Sequence, residues 1–169
     1  MIAYVDIFSG ISGDMALGAM VDLGVPVDYL KEHLSGMLDG FDLKAEKVLN
    51  HHLSATDIEV AVDDHSSVSR NYTDIREMIE KAVLPEKVKQ NSLTAFEKIG
   101  MAESGIHGKN IETIHFHEVG GIDSIVDIVG TFLAVDYLGI TKVFASSIPL
   151  GSGTVKCSHG TIPVPVPAT

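Results

Sequence analysis

The 169-residue sequence is short of cysteine and of basic residues. It contains one cysteine, and its 12 lysine and arginine residues face 23 aspartate and glutamate residues. A single cysteine excludes a disulfide framework and a zinc site built from cysteine pairs, and it is typical of a reducing compartment. The resulting net charge of −11 disfavours nucleic acid and anionic membranes as partners and favours cations.

The sequence also lacks the patterns of membrane or secretory segments. Its longest apolar run, around 125–135, is shorter than a membrane span and contains Asp127. The first residues, MIAYVDIF, place Asp6 where the apolar core of a signal peptide would lie. With 45% hydrophobic residues the chain is long enough to bury a core. We therefore expect one cytoplasmic domain over residues 1–169.

The segment 114–139, IHFHEVGGIDSIVDIVGTFLAVDYLG, carries the most informative pattern. His115 and His117 alternate with Phe116, so in a strand both imidazoles would point to one face, roughly 7 Å apart at the backbone. Two such side chains can converge on one metal ion. The glycine pair at 120–121 would then end the strand.

An apolar helix follows this glycine pair, and it must be buried nearly all round. Asp123 opens the helix, where a carboxylate can cap free N–H groups. Asp127 lies one turn further on the same face. A buried carboxylate is costly unless it is paired, hydrogen-bonded or bound to a metal.

These residues suggest a metal site beside a glycine turn. Glu118 can join the two histidines only if the turn after it twists the chain. An exposed histidine pair and a simple helix cap remain the alternatives. The candidate ligands are His115, His117, Glu118 and Asp123.

A second glycine turn, SGISGD, follows the first predicted strand and precedes a helix from about Asp14 to Leu23. Backbone N–H groups in such a turn can bind a phosphate, although the lysine of a phosphate-binding loop is missing. The unit echoes the later glycine turn and helix. Its candidate cofactor-binding residues are Gly10, Ser12, Gly13 and Asp14.

Two further histidines are second-tier candidates for metal ligands. His65 lies beside two acids in the polar segment 63–71, the kind of loop that often carries function. His159 lies two residues after Cys157 and is either a ligand or part of a strand face.

Hydrophobic periodicity predicts the order β-α-β-β-α-β followed by an α-β unit. This order indicates an α+β fold, in which helices pack on a mixed sheet with a ferredoxin-like core. The predicted strands are Ile2–Phe8, Phe41–Leu49, Thr56–Val62, Ile111–His117 and Lys142–Ile148. The glycine- and proline-rich segment 149–169 is expected to be extended.

Four motifs in this chain resemble the LarC family, long catalogued as a domain of unknown function. They are DIFSGISGDM at Asp6–Met15, IHG at Ile106–Gly108, HFHEVGGIDSIVDIVG at His115–Gly130 and HGTIPVPVPAT at His159–Thr169. The motifs span the chain in the family's order. The resemblance implies a chelatase of the lyase class that inserts Ni(II) into pyridinium-3,5-bisthiocarboxylic acid mononucleotide, forming the nickel-pincer nucleotide cofactor.

The resemblance also implies a longer protein, because members of the family continue past the PAT sequence into a C-terminal domain. That domain would supply the CTP site with Mg(II) or Mn(II), in cis or in trans, and segment 149–169 would lead into it. We therefore expect the 169-residue chain to be inactive alone. The sequence leaves open whether the chain forms a homo-oligomer.

The chain departs from the family pattern around residues 64–72, where relatives tend to carry a histidine-rich run and this sequence keeps only His65. This departure disfavours a multi-histidine nickel store in that loop. Two other functions are compatible with the residues, a metal-dependent hydrolase and a non-catalytic interaction module.

Overall fold

The computed structural model describes residues 1–50, 52–63, 70–116, 119–157 and 160–166. Both α-helices and β-strands occur along it, which confirms the predicted α+β class. The strands are β1 (Ile2–Val5), β2 (Phe41–Asn50), β3 (Leu53–Val62), β4 (Lys142–Ala145), β5 (Thr154–Cys157) and β6 (Gly160–Pro163). The α-helices are α1 (Gly13–Asp22), α2 (Val27–Ser35), α3 (Tyr72–Lys81), α4 (Glu86–His107) and α5 (Ile122–Tyr137), with a 3₁₀ turn at Ile111–Thr113.

Within the described residues, the strands form three separate two-stranded sheets. Strands β1 and β4 pair in parallel, with Ile2 beside Lys142 and Val5 beside Ala145. Strands β2 and β3, both predicted from the sequence as strands, form an antiparallel hairpin, and β5 and β6 form another. Because the β2–β3 hairpin packs on α1 and α2 instead of joining β1, the ferredoxin-like arrangement is not confirmed.

Helix α5 lies at the centre of the core and contacts α1, α2, α4 and β3. Only Asp123 and Tyr137 among its residues are exposed, as the apolar sequence of this helix predicts. Each fully buried Ile, Val or Leu side chain stabilises the fold by roughly 1.5–3 kcal/mol relative to an exposed one. The fully buried side chains of α5 include Ile125, Val126, Val129 and Leu133.

Helix α1 packs closely on the hairpin because it carries Gly18 at the contact. A Cβ at this position would lie 2.3 Å from the backbone oxygen of Thr56. Any larger residue would push the helix away from β3. The close approach therefore depends on glycine.

The predicted strand over Ile111–His117 is wrong for its first half. Asn110 accepts a hydrogen bond from the N–H of Glu112 with its side chain, at 3.1 Å, and residues 111–113 turn into a 3₁₀ helix. A single antiparallel bridge, between Asn71 and His115, replaces the ladder. A local capping interaction thus competes successfully with strand pairing.

The start of segment 149–169 folds back on itself through the β5–β6 hairpin. The N–H of Val164 donates to the backbone oxygen of Gly153 at 3.0 Å, which brings the chain back beside the start of β5. No helix in the described ranges combines the length and apolar character that a membrane crossing needs.

Candidate functional site

Two helix N-termini of the same construction lie at the site. Asp14 is the second residue of α1, and Asp123 is the second residue of α5. In each helix the carboxylate Oδ1 accepts the N–H of the next residue, from Met15 at 2.8 Å and from Ser124 at 2.8 Å. Residues 12 and 121, which precede the helices, provide no side-chain cap. Asp123 therefore accepts a free N–H of the first turn from the second position of the helix, and not from the residue that precedes it. The two similar sequence motifs are two similar helix starts.

Asp127 lies directly against the first residue of α1. A Cβ built on Gly13 would lie 2.3 Å from Oδ2 and 2.4 Å from Cβ of Asp127. Only glycine leaves room for this carboxylate. Oδ1 of Asp127 is buried and has no hydrogen-bond partner among the described residues. Of the ways to offset the cost of burying this acid, a hydrogen bond to Oδ1 is therefore missing from the described part of the chain.

Burial, together with the smaller effect of the negative charges of Asp14 and Asp123, raises the pKa of Asp127 from 3.8 to about 6. These three residues, Asp14, Asp123 and Asp127, form what we call the carboxylate corner. Near neutral pH it concentrates negative charge at a partly buried place. A cation bound there would reduce the repulsion, whereas an anion would increase it.

The sequence prediction does not include Asp127 among the ligands. A signal for it exists, because an acid on an almost wholly apolar helix face rarely lacks a role. Its neighbour Gly13 lies more than a hundred positions away, so the contact itself could not be read from local sequence.

The segment that carries His115 is fixed by backbone hydrogen bonds. The N–H of Tyr72 donates to the oxygen of Ile114 at 3.3 Å, and the N–H of Phe116 donates to the oxygen of Arg70 at 3.3 Å. Ile114 and Phe116 are buried, and the His115 side chain between them is exposed. This alternation is what the sequence predicts for an extended segment.

A tight glycine turn connects this segment to α5. A Cβ on Gly120 would lie 2.7 Å from the oxygen of Phe116 and 2.8 Å from the oxygen of Arg70. The backbone therefore needs glycine at this position. As a result, the candidate ligand segment has a fixed strand-like end at His115 and a fixed helical end at Asp123.

Four of the predicted ligands, His65, His117, Glu118 and His159, lie outside the described residues. Across the described ranges, no group of three or more His, Cys, Asp or Glu side chains is placed to hold a metal ion. Neither His115 with Asp123 nor the three acids of the carboxylate corner form such a group within the described residues. The predicted ligand set stays a prediction.

The glycine turn before α1 is built around Asp14. Ser12 Oγ donates a hydrogen bond to Oδ1 of Asp14, which also accepts the Met15 N–H. Gly10 has φ +98°, and Gly13 faces Asp127. Two donors that a phosphate would use are already occupied by a carboxylate. The chemistry of this turn favours a cation, and its role in cofactor binding stays a prediction.

The sequence matches the family described as nickel insertion protein over residues 3–169. It is 51% identical over 169 residues to the pyridinium-3,5-bisthiocarboxylic acid mononucleotide nickel insertion protein of Desulfitobacterium hafniense. The aligned region covers 99% of this chain and 42% of that relative. A protein of the same name in Acetivibrio thermocellus is 45% identical over 176 residues, which cover 99% of this chain and 43% of that relative.

The chain therefore belongs to the nickel insertion protein family, and the resemblance to LarC is confirmed. It spans less than half the length of the curated relatives it matches. No solved structure matches it.

Proposed function

We propose that this chain is the nickel-handling portion of a protein that inserts Ni(II) into pyridinium-3,5-bisthiocarboxylic acid mononucleotide. The observation that carries the proposal is the carboxylate corner, at which the two Asp-bearing helix starts of a nickel insertion protein meet. The candidate ligand segment 115–123 leads directly into this corner. Nickel is here a substrate that passes through the site.

Imidazole and carboxylate are suitable ligands for Ni(II). In this proposal the ion binds to His115, His117, Glu118 and Asp123. The second-tier candidate ligands are His65 and His159. Asp127 lies beside Asp123 and contributes negative charge without a competing hydrogen bond among the described residues. A bound cation would also favour the ionised form of Asp127, so loading should release protons and strengthen as pH rises.

The proposed ligands suit a delivery site. The product holds nickel through sulfur and carbon donors, which are softer than imidazole nitrogen and carboxylate oxygen. The ion can therefore move from the protein to the precursor. Gly13 contacts Asp127, and Asp14 belongs to this corner. We propose that the precursor approaches the metal at Gly10, Ser12, Gly13 and Asp14 once bound Ni(II) offsets the negative charge there.

We assign the CTP-dependent step, with its Mg(II) or Mn(II), to the part of the protein beyond this chain. A triphosphate site needs lysine, arginine or a free helix N-terminus. At the N-terminus of α1, the N–H of Met15 donates to the carboxylate of Asp14 and is therefore not available to a phosphate. This part would act in cis or in trans, and the chain alone would bind nickel without completing the cofactor.

Titration calorimetry with Ni(II) tests the ligand assignment. We expect the 169-residue chain to bind about one Ni(II), and the double variant His115→Ala with His117→Ala to lose this binding. The matched control is the double variant His33→Ala with His107→Ala. Both histidines lie on helices, where His33 Nδ1 is hydrogen-bonded to the backbone oxygen of Tyr29 and His107 Nε2 lies 3.3 Å from the carboxylate of Glu103. The control should titrate like the wild type. Unchanged binding by the first double variant would show that the ligands lie elsewhere.

A further inference from the structure

The parallel pair β1–β4 exposes an unusual amount of apolar surface. Tyr4 and Phe144 are neighbours across the pair, with 67% and 54% of their areas exposed. Strand β4 is exposed along its whole length. We call this region, which consists of Ile2, Tyr4 and Phe144 on one face of the pair with Phe8 and Ile148 in the segments that follow the two strands, the β1/β4 surface.

This exposure is concentrated rather than scattered. Twenty large hydrophobic side chains are exposed in the described residues, and ten of them lie in residues 1–15 and 143–150. Isolated exposed apolar residues are common on any protein, but a contiguous apolar patch marks a surface that binds something. Parallel sheets in particular are normally covered on both faces.

The β1/β4 pair is held firmly to the rest of the fold. The amino group of Met1 donates to the oxygen of Gly139 at 2.8 Å, and the N–H of Thr141 donates to the oxygen of Met1 at 2.8 Å. At the other end, the N–H of Ile7 donates to Oγ of Ser146 at 2.7 Å. The pair is therefore a preformed platform that continues directly from the C-terminal end of α5.

The lengths of the relatives indicate what covers this platform. The matched region makes up 42% of the Desulfitobacterium relative, so more than half of that protein lies outside it. The described chain continues from the platform into the β5–β6 hairpin. Seven residues lie between Ala145 and Gly153, a span of at most about 29 Å, and Val164 is hydrogen-bonded to Gly153.

We propose that the β1/β4 surface is the docking face for the polypeptide that longer family members carry beyond the matched region, packed through apolar side chains over Tyr4 and Phe144. A second copy of this chain is a poorer occupant, because each copy has a net charge of −11 and two copies repel. The inference rests on the proposed division of the family protein into two portions. It does not depend on nickel binding, so the two proposals can fail separately.

Hydroxyl-radical footprinting tests this inference, because it measures the exposure of individual side chains. The 169-residue chain is compared with a full-length chain in which the remainder of the Desulfitobacterium relative continues after Thr169. We expect the oxidation rates of Tyr4 and Phe144 to fall at least about fivefold in the longer chain, since an interface core excludes water. Leu49 on β2 and Met101 on α4, exposed by 78% and 63%, are references outside the β1/β4 surface whose rates should not change.

A substitution separates docking from general compaction. Phe144→Lys should restore the oxidation rate of Tyr4 in the longer chain, and the matched control Leu49→Lys should not. Equal Tyr4 and Phe144 rates in the short and long chains would overturn the proposal. So would loss of Tyr4 reactivity in the short chain as its concentration rises, together with a dimer in sedimentation, because the occupant would then be a second copy.

Discussion

Replacing Asp127 by asparagine should change how the stability of the protein depends on pH. The substitution keeps the shape of the side chain and removes its charge. Asp127 packs against Gly13, has no hydrogen-bond partner for Oδ1 among the described residues, and has a pKa raised to about 6 by burial and by Asp14 and Asp123. Its ionised form is therefore less stable in the folded chain than in the unfolded chain.

The raised pKa fixes the direction of the effect. Above pH 6 the carboxylate is ionised in both states, and the full penalty is present. As pH falls from 6 toward 4, the folded chain takes up a proton that the unfolded chain does not, and the penalty disappears. The contribution of Asp127 to the free energy of unfolding thus increases as the pH is lowered through this window.

The size of the effect follows from the same pKa. One pKa unit corresponds to 1.36 kcal/mol, so a rise from 3.8 to about 6 sets an upper limit of about 3 kcal/mol. Partial exposure of the side chain to solvent reduces this value, and we expect about 1–2 kcal/mol. The asparagine variant should be more stable than the wild type by this amount at pH 7.5, and the difference should vanish near pH 4.

Urea unfolding of both proteins at several pH values between 4 and 7.5 measures the difference. Asp136→Asn is the matched control, because it makes the same substitution on the same helix without contact to Gly13. Its stability difference should not follow the pH profile of the Asp127 variant. A variant that is less stable than the wild type at pH 7.5 would refute the reasoning, since the carboxylate would then have a stabilising partner.

Two further outcomes follow from the structure and a third from the proposed function. Gly13→Ala should lower stability by about 1–3 kcal/mol because its Cβ overlaps Asp127, and adding Asp127→Ala should recover most of this loss in thermal melts. Gly18→Ala should lower stability by a similar amount. Gly105→Ala, with open space around its Cβ, should instead stabilise α4 by about 0.5–1 kcal/mol. A Gly18→Ala variant more stable than the Gly105→Ala variant would contradict the packing described here. The 169-residue chain, incubated with precursor, nickel and CTP, should form no nickel-loaded product by mass spectrometry, and catalytic turnover would overturn the proposed division of labour.

The elements with strong local signals could be predicted from the sequence. The helix expected from about Asp14 to Leu23 is α1, Gly13–Asp22, and the expected strand pair is the β2–β3 hairpin. Periodicity and turn residues act over a few positions, so they are visible in the sequence. The burial of α5 follows in the same way from its apolar composition.

The site could be predicted only in part. The sequence identified both Asp-bearing helix starts and the unusual acid at position 127. It also indicated extended backbone at His115, but not the 3₁₀ turn before it, where a single Asn110 side chain decides between two local conformations.

The contacts that define the candidate site depend on tertiary structure. Asp127 meets Gly13, and β1 pairs with β4, across more than a hundred residues of chain. No local preference encodes such neighbours, because they result from how buried helices and strands pack together to remove apolar surface from water. The same packing desolvates Asp127 and brings it near Asp14, so the chemistry of the carboxylate corner arises from the fold, although each of its residues is plain in the sequence.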